Sequence, residues 1–173
     1  HELRFVDVRS FGEMWWVPPD MELTVGIPGL ARLGPEPFSE AVSAPYLKRQ
    51  LKNTSRPIKT ALLDQALVAG VGNIYADESL FSAGIPPLTP AGRLTLAQLE
   101  RLHSSLVEVL TTSIGAGGTT FSDFRDLEGV NGNYGGQAWV YRRGGEPCRR
   151  CGTIIRRDKL SGRSTHWCPT CQG

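Results

Sequence analysis

The chain has no apolar run long enough to cross a membrane, no internal repeat, no low-complexity segment and no cysteine before position 148. The first absence excludes a helical membrane protein. The next two exclude a solenoid and a disordered linker protein. Nothing at its start reads as a secretory signal, so a cytoplasmic protein is expected. With 40% hydrophobic and 21% charged residues over 173 positions, the composition suits one soluble globular domain or two small ones.

What is present is concentrated at the far end. Four cysteines stand as Cys148-x-x-Cys151, sixteen residues, then Cys168-x-x-Cys171. Each C-x-x-C turn can offer two sulfurs to one metal, and four thiolates complete a tetrahedral zinc ion that replaces the core so short a segment cannot build. Two disulfides are the competing reading, and they belong to secreted chains. Zinc is therefore expected, one ion, in a reducing compartment. The formal charge of +2 hides an asymmetry: residues 142–173 hold seven Arg and one Lys against Glu146 and Asp158, a net of +6, which leaves −4 for the rest. A basic end held on a metal framework points to a polyanion, nucleic acid foremost.

The remainder reads as strands, then helices, then the zinc ribbon. Residues 3–8 and 14–17 are rich in Val, Trp and Phe and flank a turn at 9–13, which predicts two strands. Pro and Gly punctuate 18–45 and suggest a boundary. Helices are predicted over 45–52, 59–68 and 73–83, with Asn73 as the N-cap of the third. Thr95-Leu-Ala-Gln98 is a capping box, and Leu99, Leu102, Leu106, Val109 and Leu110 recur behind it at helical spacing. A short helix is expected at 120–125, a mobile glycine-rich loop at 126–137 and a strand at 138–141. The sequence is thus divided into 1–37, the end of a β domain with a linker, 38–137, helical, and 138–173, the zinc finger, an α+β chain as a whole.

Between the second and third helices, Ala69-Gly70-Val71-Gly72 sets a glycine turn before a helix start. Exposed N–H groups there suit a phosphate, glycines 70 and 72 let the anion come close, and Lys59 could add charge. On local pattern alone an ordinary capped helix is the simpler reading, since half of a dinucleotide fingerprint is present without its third glycine or its strand.

Taken together, GVGNIYADESLFSAGIPP, LGPEP, GGTTFSDF, YRRGGEPCRRCGT and the CPTCQ ending resemble the formamidopyrimidine-DNA glycosylase family over essentially the whole chain. The resemblance implies the end of a β-sandwich, a helix-two-turn-helix domain and a four-cysteine zinc finger. It implies a bacterial base-excision repair enzyme, a glycosylase and abasic-site lyase for 8-oxoguanine or formamidopyrimidine in duplex DNA, expected to act as a monomer. Carried over by position, it puts Lys59, Asn73 and Arg163 on phosphates beside the extruded nucleotide, with glycines 70 and 72 in the turn between. It places Arg9 and Phe11 in a wedge that fills the gap left by base flipping. Ser10 stands where the family often has a second arginine, a departure expected to weaken backbone contacts. The 126–136 loop resembles the segment that covers the damaged base. Tyr134 is its aromatic residue, although packing at the loop base is the simpler role for it.

The family's N-terminal proline nucleophile and the glutamate after it have no counterpart here, because His1 runs straight into a segment matching the end of the family's first domain. Glu2 is therefore not the catalytic acid. The expectation is a C-terminal portion that binds DNA and zinc while the complete protein carries the chemistry. Three alternatives remain: an endonuclease VIII-like glycosylase for oxidised pyrimidines, a non-enzymatic nucleic-acid-binding module, as in ribosomal proteins that use the same helical motif, and a purely structural zinc domain.

Overall fold

The computed structural model describes residues 2–7, 10–120 and 130–173. It divides into two units, His1–Leu33 and Gly34–Gly173. In the first, α1 (Leu23–Gly26) and a 3₁₀ turn at Leu30–Arg32 are the regular elements among the described residues. The two predicted strands do not form there: residues 2–7 and 14–17 carry no ladder. Two strands have little stability without further sheet or an apolar face to cover. Leu3, Val6, Phe11 and Trp16 are each at least 80% exposed, so this segment has no core of its own to dock on.

The second unit is built from the helices. In α2 (Ala44–Gln50), the Ser43 hydroxyl accepts the Tyr46 N–H at 3.3 Å, and Pro45 sits in the first turn, where its missing N–H costs nothing. Predicted over 59–68, α3 spans only Ile58–Leu62. It stops because the Asp64 carboxylate takes the Ala66 N–H at 3.0 Å and the Arg56 guanidinium at 2.9 Å, closing a local turn that competes with the helix. Those two contacts, Arg56 foremost, hold the Asp64 carboxyl below its ordinary range.

The third predicted helix, α4 (Asn73–Ala83), has the predicted limits and ends at Gly84, whose φ of 68° suits glycine. A Cβ on Gly84 would also sit 3.4 Å from the Cys171 carbonyl. The long α5 (Leu96–Gly115) starts at the capping box: the Thr95 hydroxyl accepts the Gln98 N–H, and the Gln98 side chain accepts the Thr95 N–H. All five of its periodic residues are buried, Leu99 and Leu102 fully so, and the helix packs on α2 and α4. The predicted helix at 120–125 lies, beyond Thr120, outside the described residues, as does 126–129 of the glycine-rich loop. Its described end forms α6 (Tyr134–Gln137), with Tyr134 buried and its ring 6.1 Å from that of Tyr75.

The last element is a hairpin, β1 (Arg156–Leu160) antiparallel to β2 (Arg163–Trp167), pairing Arg156 with Trp167 and Leu160 with Arg163. Ser161 (φ 49°) and Gly162 (φ 80°) form its two-residue turn, the left-handed pair that matches strand twist. A main core joins α2 to α5, and a small second core of Phe81, Val140, Cys148, Ile155 and Cys168 lies under the hairpin.

Candidate nucleic-acid interface and metal centre

The four cysteine sulfurs all lie within 4.8 Å of one another, with Cys148 to Cys171 at 3.9 Å and Cys151 to Cys168 at 3.4 Å. Those separations are too long for disulfides. They fit a tetrahedron of about 3.8 Å edges around zinc at about 2.3 Å from each sulfur. Local chemistry favours thiolates at one corner, where the hydroxyl and N–H of Thr153 bring Cys151 down to about 6. Burial and the crowd of neighbouring sulfurs push Cys171 up to about 12. Four charges so close need a cation between them. The backbone N–H groups of Arg150 and Cys171 point at the sulfurs of Cys148 and Cys168, at 3.4 and 3.5 Å. Gln172, the last residue of the CPTCQ run, is fully buried and ties the centre down: its oxygen accepts the Cys168 N–H and its amide donates to the Ile85 carbonyl, both at 2.9 Å.

What fastens this centre to the helices is a pair of buried acids that the sequence reading did not single out. From Ala76 to Phe81, α4 is buried on every side, so Asp77 and Glu78 must find partners. Glu78 accepts three successive N–H groups, from Trp139 (2.7 Å), Val140 (2.9 Å) and Tyr141 (2.8 Å). This is why the predicted strand at 138–141 is absent: its donors wrap a carboxylate instead of joining a ladder. Burial raises the Glu78 carboxyl above its ordinary value, and the three donors pull against that rise. Asp77 pairs with the Lys59 ammonium at 2.7 Å and accepts the His166 N–H at 2.9 Å. Adjacent acids inside a helix with no polar face were the available signal.

Lys59 is therefore not an exposed phosphate ligand. It is fully buried, and besides Asp77 its ammonium donates to the Ser164 carbonyl at 2.7 Å and the Thr165 hydroxyl at 2.9 Å. Burial lowers its pKa, Asp77 raises it, and nearby Arg163 lowers it further. Its reach ends there because all three donors are engaged, two on the hairpin and one at Asp77. Asn73 is also placed differently from its prediction. Gly72 is the N-cap and offers no side chain, while Asn73 is the first helical residue and donates from Nδ2 to the same Ser164 carbonyl at 3.0 Å.

This shared carbonyl brings the start of α4 and the hairpin together. Gly70 (φ 79°) and Gly72 both lie open, since a Cβ on either would meet nothing within 4 Å. Gln65 holds the turn, accepting the Gly70 N–H at 2.8 Å and donating to the Val71 carbonyl at 3.0 Å. The first turn of α4 thus has no capping side chain, and the exposed Arg163 is one residue from Ser164, an arrangement whose chemistry suits an anion. Of the expected wedge, Arg9 lies outside the described residues, and Phe11 is 80% exposed.

The basic cluster divides into two groups. Arg143 donates to Glu146 and to the Trp139 and Pro147 carbonyls, and Arg149 to the carbonyls of Gly136 and Gln137. Arg150 lies 4.6 Å over the Phe81 ring, which stacks on Trp139, and Arg156 lies over Trp167. These four bind the finger together. The other cations of this stretch, Arg142, Arg157, Lys159 and Arg163, are all exposed.

A helical motif opening on a glycine turn, braced to a four-cysteine zinc finger, defines a helix-two-turn-helix and zinc-finger protein. Residues 33–125 match the formamidopyrimidine-DNA glycosylase H2TH domain, and residues 145–173 the zinc finger found in FPG and IleRS. The chain belongs to the formamidopyrimidine-DNA glycosylase family. It is 98% identical over 173 residues to the formamidopyrimidine-DNA glycosylase of Parasynechococcus marenigrum (strain WH8102), matching 100% of this chain and 62% of that protein. It is 68% identical over 171 residues to that of Prochlorococcus marinus (strain MIT 9313), 99% of this chain and 59% of that one. The chain thus spans about three fifths of the relatives it matches. Among solved structures, the MutM (Fpg) protein from Thermus thermophilus superposes with a TM-score of 0.81 at 49% identity, over 87% of this chain and 57% of that one. A complex of Lactococcus lactis Fpg with DNA containing an abasic site superposes with a TM-score of 0.78 at 38% identity, over 86% and 55%.

Proposed function

We propose that these residues supply the DNA grip and zinc finger of a base-excision repair glycosylase and abasic-site lyase acting on oxidised purines, working as a monomer in the cytoplasm. The observation that carries this reading is the Ser164 carbonyl held by both Asn73 and Lys59. It brings the hairpin residue next to Arg163 onto the uncapped start of α4, where two open glycines precede the helix, a set of donors whose chemistry suits a phosphate. The Asn73 amide, at the start of α4, orients the hairpin and reaches the phosphate; Lys59 acts from behind as a positioning residue. Phe11 and Arg9 serve as the wedge, and zinc holds the hairpin rigid. Zinc-finger thiolates suit a reducing compartment. The Lactococcus lactis Fpg complex with abasic DNA supports the same partner for this chain.

The glycosidic chemistry belongs to the whole protein. Lys59, which shares the Ser164 carbonyl with Asn73, is sealed behind the hairpin and cannot reach a sugar. Borohydride trapping of the zinc-loaded 173-residue chain on an abasic-site duplex, with intact mass taken on the same sample, should show salt-sensitive binding and no covalent adduct. An adduct would mean that an amine within these residues forms the iminium, and absence of duplex binding would refute the reading.

A further inference from the structure

α4, α5 and α6 border a small cavity of about 100 Å³. Ser82 lines it from the last turn of α4, Glu108, Val109 and Thr112 from α5, and Tyr134, Gln137 and Trp139 from α6 and the residues just after it. Among the described residues no arginine or lysine lines this cavity. Arg149 is spent on the carbonyls of Gly136 and Gln137, and Arg150 lies over the rings of Phe81 and Trp139.

The polar groups of the wall are acceptors in excess. Glu108 is exposed, and its carboxylate has no ion pair or hydrogen bond among the described residues. One turn on, the Thr112 hydroxyl spends its hydrogen on the Glu108 carbonyl at 2.8 Å, which leaves it only lone pairs to offer. Tyr134 is 3% exposed, yet its hydroxyl has no hydrogen-bond partner among the described residues. A buried hydroxyl left so is costly unless something in the cavity answers it. Burial, with Glu78, Tyr75 and Glu108 adding to it, raises that hydroxyl above its ordinary range, so it stays a neutral O–H. The Ser82 hydroxyl and the Gln137 carboxamide complete the polar wall, and Val109 and the partly exposed Trp139 supply the apolar one.

We infer that this cavity binds a primary alkylammonium group, either the head of a lysine side chain on another protein or a free aliphatic amine. An ammonium brings three donors and no acceptor, which matches Glu108, Thr112 and Tyr134. Methylenes behind it lie along Val109 and the Trp139 indole, and an aromatic ring adds its own attraction for a cation. A phosphate or carboxylate would instead meet the Glu108 charge with no cation in the wall to offset it. The site takes its one α4 residue from the end of that helix opposite Asn73, so it stands independently of the DNA-binding reading.

The test titrates the zinc-loaded chain with n-butylammonium and with Nα-acetyl-lysine methylamide, each against sodium chloride at equal ionic strength, and follows the NMR resonances of the Thr112 and Gln137 amides and the Trp139 indole. Saturable shifts at these residues are expected, with affinity about tenfold or more weaker in Glu108→Gln, which removes the charge-assisted hydrogen bond. Tyr134→Phe should also weaken binding while the melting temperature holds or rises, because it removes a hydroxyl that nothing in the free chain satisfies. Binding of the lysine derivative as tight as that of butylammonium assigns the site to a lysine side chain; binding of butylammonium alone assigns it to a free amine. No saturable shift with either probe would overturn the inference, as would equal affinity in Glu108→Gln and the parent chain.

Discussion

At Lys59 a buried ammonium meets a buried carboxylate, and two further acceptors from the hairpin complete its hydrogen bonds. Breaking such a pair from one side leaves a charge with nothing to neutralise it. Lys59→Met should therefore cost about 3–5 kcal/mol in the unfolding of the zinc-loaded chain. Adding Asp77→Asn, which removes the stranded charge and keeps an acceptor for the His166 N–H, should restore much of that loss. Denaturant titration of both variants decides it, and equal destabilisation would show that the pair does not act as a unit. Nothing near Lys59 in sequence announces this role. Its hairpin partners lie 105 and 106 positions away, and a lysine near the start of a short helix reads equally well as a surface charge.

At the scale of elements, α4 joins stability to binding at its first turn. Gly72 has an extended backbone (φ −98°, ψ 178°) that any residue can adopt, with room for a side chain. Gly72→Asp should cap the helix and stabilise the protein by about 0.5 kcal/mol, while placing a negative charge where a phosphate is to sit. The expected result is a higher melting temperature with weaker duplex binding; unchanged binding would move the phosphate away from this turn. In the second core, Phe81→Ala should cost about 3–5 kcal/mol and loosen the finger, because its ring carries Arg150 and Trp139. A zinc affinity unaffected by Phe81→Ala would separate the finger from α4.

Elements governed by neighbours in sequence were legible beforehand. The Thr95–Gln98 capping box, the five-residue apolar stripe of α5, the limits of α4 and the metal-binding cysteines all depend on short spacings. Those governed by distant partners were not: 138–141 was expected as a strand because its side chains suit one, but its N–H groups are taken by Glu78, some 60 positions earlier. The two strands expected before residue 18 failed for the related reason that pairing needs surfaces a local pattern cannot reveal. The cysteine spacing told of the metal, whereas which arginines brace the finger through carbonyls and aromatic rings required the fold.

At the scale of the whole molecule, zinc closes a finger with a very small core, and Asp77 and Glu78 fasten that finger to a helical body with a large one. Among the described residues, no helix is long and apolar enough to cross a membrane, and the long α5 is buried on one stripe only. Chelating the metal should release the hairpin, free the sulfurs and disperse Arg163 and its neighbours, while the helices keep the core that runs from α2 to α5. Far-ultraviolet circular dichroism should consequently retain most of its helical signal after chelation. The measurement that bears most directly on the account is duplex binding by fluorescence anisotropy, with an abasic-site duplex, before and after zinc removal. The account predicts affinity that falls steeply with salt for the zinc-loaded chain and is largely lost on chelation although the helices persist. Equal binding with and without zinc would contradict it, because the start of α4 and the hairpin could not then be one surface.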